Sequence, residues 1–235
     1  MGKNKLKRFT ENTTFPNLIQ PAFDEVFRTD HSLKGQWCKS FFKNEKPIVL
    51  ELGCGKGEYT VGLAKMFPEK NFIGIDIKGA RLWRGAKTAH EQGMPNVAFI
   101  RTRIDHIASF FGVDEVSEIW ITFPDPQLKR INSMKRLTSS LFLERYKTFL
   151  KPQGLIHLKT DSMPLHRYTR SLTELNELKV HHSTEDLYGT MKEDPILAIK
   201  TFYEAQFLDK GMPITYICFE LSNEKPIVEY KFQRT

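Results

Sequence analysis

The sequence predicts an α/β fold, with a mainly parallel sheet, helices on both faces and an antiparallel strand at one edge. Short continuous apolar runs alternate with helix-spaced segments, glycines or acidic residues follow the runs, and no repeat or low-complexity tract interrupts the series. Runs that are apolar without alternation suit strands buried on both faces. A chain of 235 residues with 40% hydrophobic content can bury one substantial core but hardly two. The expected organisation is a basic extension over residues 1–45, one domain over 46–221 and a tail over 222–235.

The opening segment is weakly patterned, and helical spacing starts near Pro21, with Ala22, Val26 and Phe27 on one side. Residues 47–52 (PIVLEL) form the first strand of the alternating series, followed by Gly53, Gly55 and Gly57. Tyr59, Gly62, Leu63 and Phe67 return at helical spacing until Pro68 ends the helix. Residues 71–75 (NFIGI) make the second strand, closed by Asp76, and 79–92 a helix broken by Gly93 and Pro95. Strands at 97–100, 118–123 and 155–158 follow, the last after a Lys151-Pro152-Gln153-Gly154 turn. Helices fill 138–150, 163–177 and 195–210, and segments 178–182 and 214–220 add antiparallel strands at one edge.

Ligands of open parallel sheets bind beyond the carboxyl ends of the strands. The chemistry-bearing residues stand there: Glu51 and the glycines at the first strand, Asp76 at the second, Asp105 shortly after the third, Asp125 after the fourth and Asp161 after the fifth. The glycines let a flat or extended ligand approach main-chain amides, although an ordinary strand-to-helix turn is the alternative for the cluster alone. Their spacing is G-x-G-x-G, neither the dinucleotide G-x-G-x-x-G nor a P-loop ending in Gly-Lys-Ser/Thr. Asp76, about twenty-five residues after Glu51, is placed to accept from both hydroxyls of a ribose. An acidic residue before the glycines suits a ligand carrying an ammonium and a sulfonium.

Together ELGCGKGEYT at 51–60 and IGIDIK at 73–78 resemble the first two motifs of class I S-adenosylmethionine-dependent methyltransferases. Phe123-Pro124-Asp125-Pro126-Gln127-Leu128-Lys129-Arg130, followed by Lys135-Arg136-Leu137-Thr138, resembles the signature of the tRNA (guanine-N7-)-methyltransferase family. The likeness continues in His157-Leu158-Lys159-Thr160-Asp161 and Thr201-Phe202-Tyr203-Glu204, and so covers roughly residues 47–220. It implies a Rossmann-like class I methyltransferase fold that uses S-adenosylmethionine, releases S-adenosylhomocysteine and methylates N7 of a tRNA guanine, by resemblance guanine 46 of the variable loop in standard tRNA numbering. Cofactor contacts are implied for Glu51, Gly53, Gly55, Gly57, Asp76, Asp105 and Asp125, and substrate contacts for Lys129, Asp161, Thr201, Tyr203 and Glu204. Two positions depart from the family pattern. Gln127 stands where an aromatic residue often follows the second proline, and Arg103-Ile104 precede Asp105 where small or amide residues are common.

Guanine N7 carries a lone pair and no proton, so methyl transfer to it asks for alignment rather than a strong general base. Asp125, on a proline-stiffened turn, is the catalytic candidate: its carboxylate can offset the positive charge arriving on the purine and accept from N1 and N2. The alternative is a solvent-facing turn aspartate. Lys129 is either a phosphate or O6 contact or a solvated charge, and Asp161 either a nucleotide contact or the N-cap of the helix from Met163. Glu204 should turn with Thr201 towards the body of the domain, with Lys200 as the alternative partner for its charge.

The formal charge is +7, and Lys3, Lys5, Lys7 and Arg8 form one basic cluster, Lys129, Arg130, Lys135 and Arg136 another. Both could follow a tRNA phosphate backbone; a solvated positive surface is the plainer reading. Cys38, Cys54 and Cys218 lack metal-ligand spacing, and their odd number fits free thiols in a reducing cytoplasm. The histidines show no zinc pattern, so no metal is expected. Neither a signal peptide nor an apolar run of membrane-spanning length is present, and Leu6 stands where a myristoylation signal needs Ser or Thr. Monomer and homodimer both stay open. A methyltransferase of a small molecule or protein would have no use for the 124–136 motif, while a non-enzymatic RNA-binding protein would not need the intact glycines and Asp76.

Overall fold

The apolar runs of the sequence form the centre of a single sheet. The computed structural model describes residues 3–191, 194–221 and 225–230. Its strands are β1 (Leu18–Ile19), β2 (Ile48–Leu52), β3 (Asn71–Asp76), β4 (Val97–Arg101), β5 (Val116–Thr122), β6 (Leu150–Thr160), β7 (Val180–Thr184) and β8 (Thr215–Glu220). Its helices are α1 (Lys3–Asn12), α2 (Glu58–Met66), α3 (Gly79–Glu91), α4 (Ser140–Lys147), α5 (Met163–Leu175), α6 (Leu187–Thr190) and α7 (Phe202–Leu208). The sheet order is β1-β4-β3-β2-β5-β6-β8-β7. Neighbours from β1 to β6 pair in parallel, and β8 runs against both β6 and β7, which is the expected antiparallel edge. The chain moves outwards from β2 through β3 to β4 and then returns to place β5 on the other side of β2. That reversal opens a crevice beyond the carboxyl ends of β2 and β5.

Successive side chains on a strand point to opposite faces. Ile48, Leu50 and Leu52 of β2, Ile73 and Ile75 of β3, Ile119 and Ile121 of β5 and Ile156 and Leu158 of β6 share one apolar layer with α4 and α5. The intervening positions face α2 and α3 and mix apolar with polar groups: Val49 and Glu51, Phe72 and Asp76, Trp120 and Thr122, His157 and Lys159. Phe99 anchors this second layer. A Cβ built on Gly57, Gly74 or Gly85 would come within 2.6–2.7 Å of its ring, so the backbones of the turn before α2, of β3 and of α3 form the slot that holds it.

Much of the segment expected as an N-terminal extension packs on this frame. β1 joins the sheet beside β4, and Trp37, fully buried, donates its indole N–H to the Phe110 carbonyl at 2.8 Å. Helix α1 lies against α3, where the Asn12 amide donates to Gly79 O at 2.9 Å and Glu11 accepts from the Trp83 indole at 2.7 Å and the Lys87 ammonium at 2.6 Å. Near the other terminus, Ile227 is buried and Glu229 accepts from the Tyr168 hydroxyl and the Ser140 amide.

Some local expectations are corrected. Residues 23–27 form turns instead of a helix, because Phe23 and Phe27 stay exposed and only Val26 is buried. The Lys151–Gly154 turn is a bulge inside one long β6: the register with β5 jumps from Val116↔Leu150 to Glu118↔Leu155. Helix α7 starts at Phe202, seven residues later than the spacing implied, because Thr201 and Glu204 make a capping box there. The N-cap of α5 is Ser162, not Asp161. Truncating Trp37 to Ala should cost about 3–5 kcal/mol in denaturant unfolding, since it empties a core site and orphans the Phe110 carbonyl.

Candidate active site

The β2–α2 turn is built from positive-φ glycines, Gly53 at 76°, Gly55 at 57° and Gly57 at 71°. These values are cheap only without a side chain. The amides of Gly53 and Cys54 both donate to Ile75 O, at 2.8 and 3.1 Å, and Gly55 N donates to the Asp76 carboxylate at 3.0 Å. The turn is thereby clasped to the end of β3. The three glycines divide the work: a Cβ on Gly53 would meet no protein atom within 4 Å, whereas Gly57 serves the Phe99 slot.

Glu51 lies directly beneath the turn and is only 2% exposed. It accepts from the Thr60 amide at 2.8 Å and the Thr122 hydroxyl at 2.6 Å, and from the Thr60 hydroxyl as well. Burial pushes its carboxyl up to about 7 despite these bonds, and the charge of Asp76 adds to the rise. Asp76 has a second anchor, accepting from Lys78 N at 2.7 Å.

A cavity of about 580 Å³ opens beyond β2, β3, β4 and β5, with Gly53, Asp76, Asp105, Phe123, Asp125 and Gln127 among its walls. It brings together cofactor-side residues expected from four separate strand ends. Asp105 pairs with Arg103 at 3.0 Å in an exposed bridge, which gives the unexpected Arg103 a partner on the rim. Asp125 is exposed, and one of its carboxylate oxygens accepts from Gln127 N at 3.1 Å. Phe123 and Gln127 bracket it at φ 48° and 46°, a conformation that costs non-glycine residues energy and persists where the surrounding structure holds it. Arg136 fixes the far end of this loop. It is buried, lies 4.2 Å over the Tyr168 ring and donates to Gln127 O at 3.3 Å, so it is not part of an exposed basic run.

The residues expected on the substrate side are not among the cavity walls. Lys129 is exposed and Asp161 half-buried, its carboxyl raised by that burial. Thr201 and Glu204 turn inwards as expected, but the partner of Glu204 is Lys159 rather than Lys200. The Lys159 and Glu204 side chains are both 0% exposed and meet at 2.8 Å. Lys159 also donates to Leu197 O at 2.6 Å and Ile199 O at 3.2 Å, while Glu204 accepts from the Tyr188 hydroxyl at 2.5 Å. Burial lowers the Lys159 ammonium, with Glu204 working against the shift. Tyr203 is on α7, and its side chain lies outside the described residues. Sequence reasoning missed Thr60, Thr122 and Lys159 as partners. For Thr122 and Lys159 the available signal was positional: a threonine or lysine closing an apolar strand on the same face of the sheet as Glu51.

In the folded protein Glu51 holds its proton to about pH 7, but in the unfolded chain only to an ordinary carboxyl value. Its contribution therefore favours the fold at low pH and declines as pH rises through about 7. Glu51→Gln should flatten the stability profile between pH 5 and 8 by on the order of 3 kcal/mol in denaturant titrations. For the buried pair, Glu204→Leu alone should destabilise by about 3–5 kcal/mol, and adding Lys159→Met should recover much of that loss.

Among the described residues no helix is long and apolar enough to cross a membrane, and no group of three or more His, Cys, Asp or Glu residues is arranged to hold a metal. The Methyltransf_4 family, described as "Putative methyltransferase", matches residues 45–217. A tRNA (guanine-N(7)-)-methyltransferase of Christiangramia forsetii is 56% identical over 221 residues, 94% of this chain and 99% of that protein. One of Bacteroides thetaiotaomicron is 53% identical over 229 residues, 97% of this chain and 90% of that protein. Among solved structures, the 16S rRNA methyltransferase KamB shares the fold at a TM-score of 0.60 and 12% identity, over 78% of this chain and 92% of that one. A mutant 16S rRNA (adenine(1408)-N(1))-methyltransferase from Catenulisporales acidiphilia, solved with cosubstrate SAM, has a TM-score of 0.54 and 15% identity, covering 83% and 93% of the two chains. With the family matched over most of its length and close relatives matched nearly end to end, the chain belongs to the tRNA (guanine-N(7)-)-methyltransferase family.

Proposed function

We propose that the chain transfers the methyl group of S-adenosylmethionine to N7 of a guanine in tRNA, at position 46 of the variable loop. The observation that carries this reading is one cavity bounded by the glycine turn, Asp76 and the Asp125 turn. The residues fit the cofactor: Gly53 leaves open space where a side chain would stand, and Asp76 offers a carboxylate to ribose hydroxyls at the end of β3. When bound, S-adenosylmethionine supplies a methyl group made electrophilic by its sulfonium. Gly55 N already holds one Asp76 oxygen, which orients the carboxylate before a ribose arrives. Glu51 adds negative potential beneath the turn without entering the cavity, and ligand cations should favour its ionised form.

Asp125 faces the same cavity from the opposite strand end, on a turn stiffened by Pro124 and Pro126. Its carboxylate accepts from the guanine edge and offsets the charge that methylation leaves on the ring; it removes no proton from N7. Lys129 and Asp161 lie outside this cavity; Lys129 is assigned to a phosphate or guanine O6 and Asp161 to the nucleotide. Thr201 and Glu204 are assigned an indirect part, since their polar atoms hold the segment before α7 against Lys159. The proposed domain is the sheet with its helices, the N-terminal segment packed on it and the tail residues 225–230 lying over α4 and α5. Reaction of the protein with unmodified tRNA and labelled cofactor, followed by cleavage at methylated guanines, should give one N7-methylguanine at position 46. Asp125→Asn should slow this reaction by about 10²-fold or more with cofactor affinity retained; full activity and full tRNA affinity in that variant would remove Asp125 from its assigned part.

A further inference from the structure

A second cavity, of about 470 Å³, lies between α1, α2 and α3, on the outer side of the glycine turn. Arg8, Lys56, Lys65, Arg81 and Arg84 line it, against the single carboxylate of Glu58. Among the described residues, Arg8, Lys65 and Arg84 pair with no carboxylate. The guanidinium groups of Arg8 and Arg84 instead lie 4.7 and 4.8 Å over the Trp83 ring. Stacking occupies the flat face of a guanidinium and leaves most of its in-plane N–H donors available, which is the geometry suited to phosphate oxygens. Arg8 spends one donor on Ala80 O, at a long 3.5 Å. Helix α1 is held in place one turn further along the same face by the Glu11 bonds to Trp83 and Lys87, so Arg8 is presented on a fixed element. Arg81 lines both this groove and the candidate active-site cavity, which places the two side by side.

We propose that this groove binds the phosphodiester backbone of the tRNA whose guanine enters the neighbouring cavity. The inference rests on the proposed function and adds to it a surface in which Lys65 and Arg84, which no motif of the sequence marked, join Arg8 of the N-terminal basic cluster. Phosphate contacts position a nucleic acid without reading its bases, so the groove sets register and orientation while the cavity selects guanine. Placing cations on α1, α2 and α3 around one tryptophan joins the N-terminal helix to the body of the enzyme on the RNA side.

The test uses the full chain with Lys65→Gln and Arg84→Gln combined, and binding to unmodified tRNA across a salt series. The expected result is weaker binding, with the slope of log affinity against log salt reduced by about two, one for each contact removed. S-adenosylmethionine affinity and melting temperature serve as controls for folding. A folded variant with unchanged tRNA affinity and an unchanged slope would overturn the groove, whether or not it binds some other polyanion less well. Should the variant lose its melting transition, Arg84→Lys with Lys65→Arg keeps the charge and must retain binding for the inference to stand. If the unaltered protein makes no N7-methylguanine in tRNA, the proposed function falls; if it does and the double variant binds like it, the groove alone falls.

Discussion

A single buried carboxylate ties the centre of this molecule together. Glu51 sits in the middle strand of the sheet, and its partners Thr60 and Thr122 belong to the first turn of α2 and the last residue of β5. Those are the two elements that flank the topological reversal. Burying a carboxylate is costly unless its lone pairs are satisfied, and a fixed acceptor that needs donors from two directions restricts how α2 and β5 approach β2. The glycine turn above it, its clasp to Asp76 and the open cavity beyond all inherit that arrangement.

The two layers of the sheet carry different duties. The layer against α4 and α5 holds the larger apolar cluster and supplies stability. The layer against α2 and α3 holds Glu51, Thr122, His157 and Lys159 among its apolar residues, so the sheet keeps its buried ionisable groups on one side. His157 shows the pattern away from the cavity: it stacks on Trp120 at 3.9 Å and hydrogen-bonds Tyr216 at 2.8 Å. Segregation of this kind lets the functional layer accommodate charge without weakening the packing of the other.

The strands and most helices were legible because apolar runs and glycine or proline punctuation are local signals. Residues 71–76 and 97–101 follow their patterns closely. The strand β1 was not legible, since two residues of a parallel edge make no period, and Trp37 gave no sign that its partner would be the Phe110 carbonyl. At the site, the acidic residues closing the strands were visible because topology places strand ends together. Their partners were not. Lys159 reads as one residue of a strand, and only the fold brings Glu204, forty-five positions later, to within 2.8 Å. Arg136 looked like part of a basic run because charge is visible in sequence and burial over Tyr168 is not.

The slot that holds Phe99 reaches further than its size suggests. Gly57 closes the cofactor-side turn, Gly74 lies within β3 and Gly85 within α3, and all three meet one ring. The turn, the strand and the helix are thus cut to a common template, and none can be recast singly. A designer who wished to reshape the turn for another ligand would have to vary positions 57, 74, 85 and 99 as one unit, and a smaller side chain at 99 would still leave a methyl group at 74 against Thr60 Oγ1, at 2.7 Å, and one at 85 against Lys56 O, at 2.8 Å. The evolutionary counterpart is that change at these positions is expected to arrive in company, so the cofactor turn is inherited together with a piece of the core.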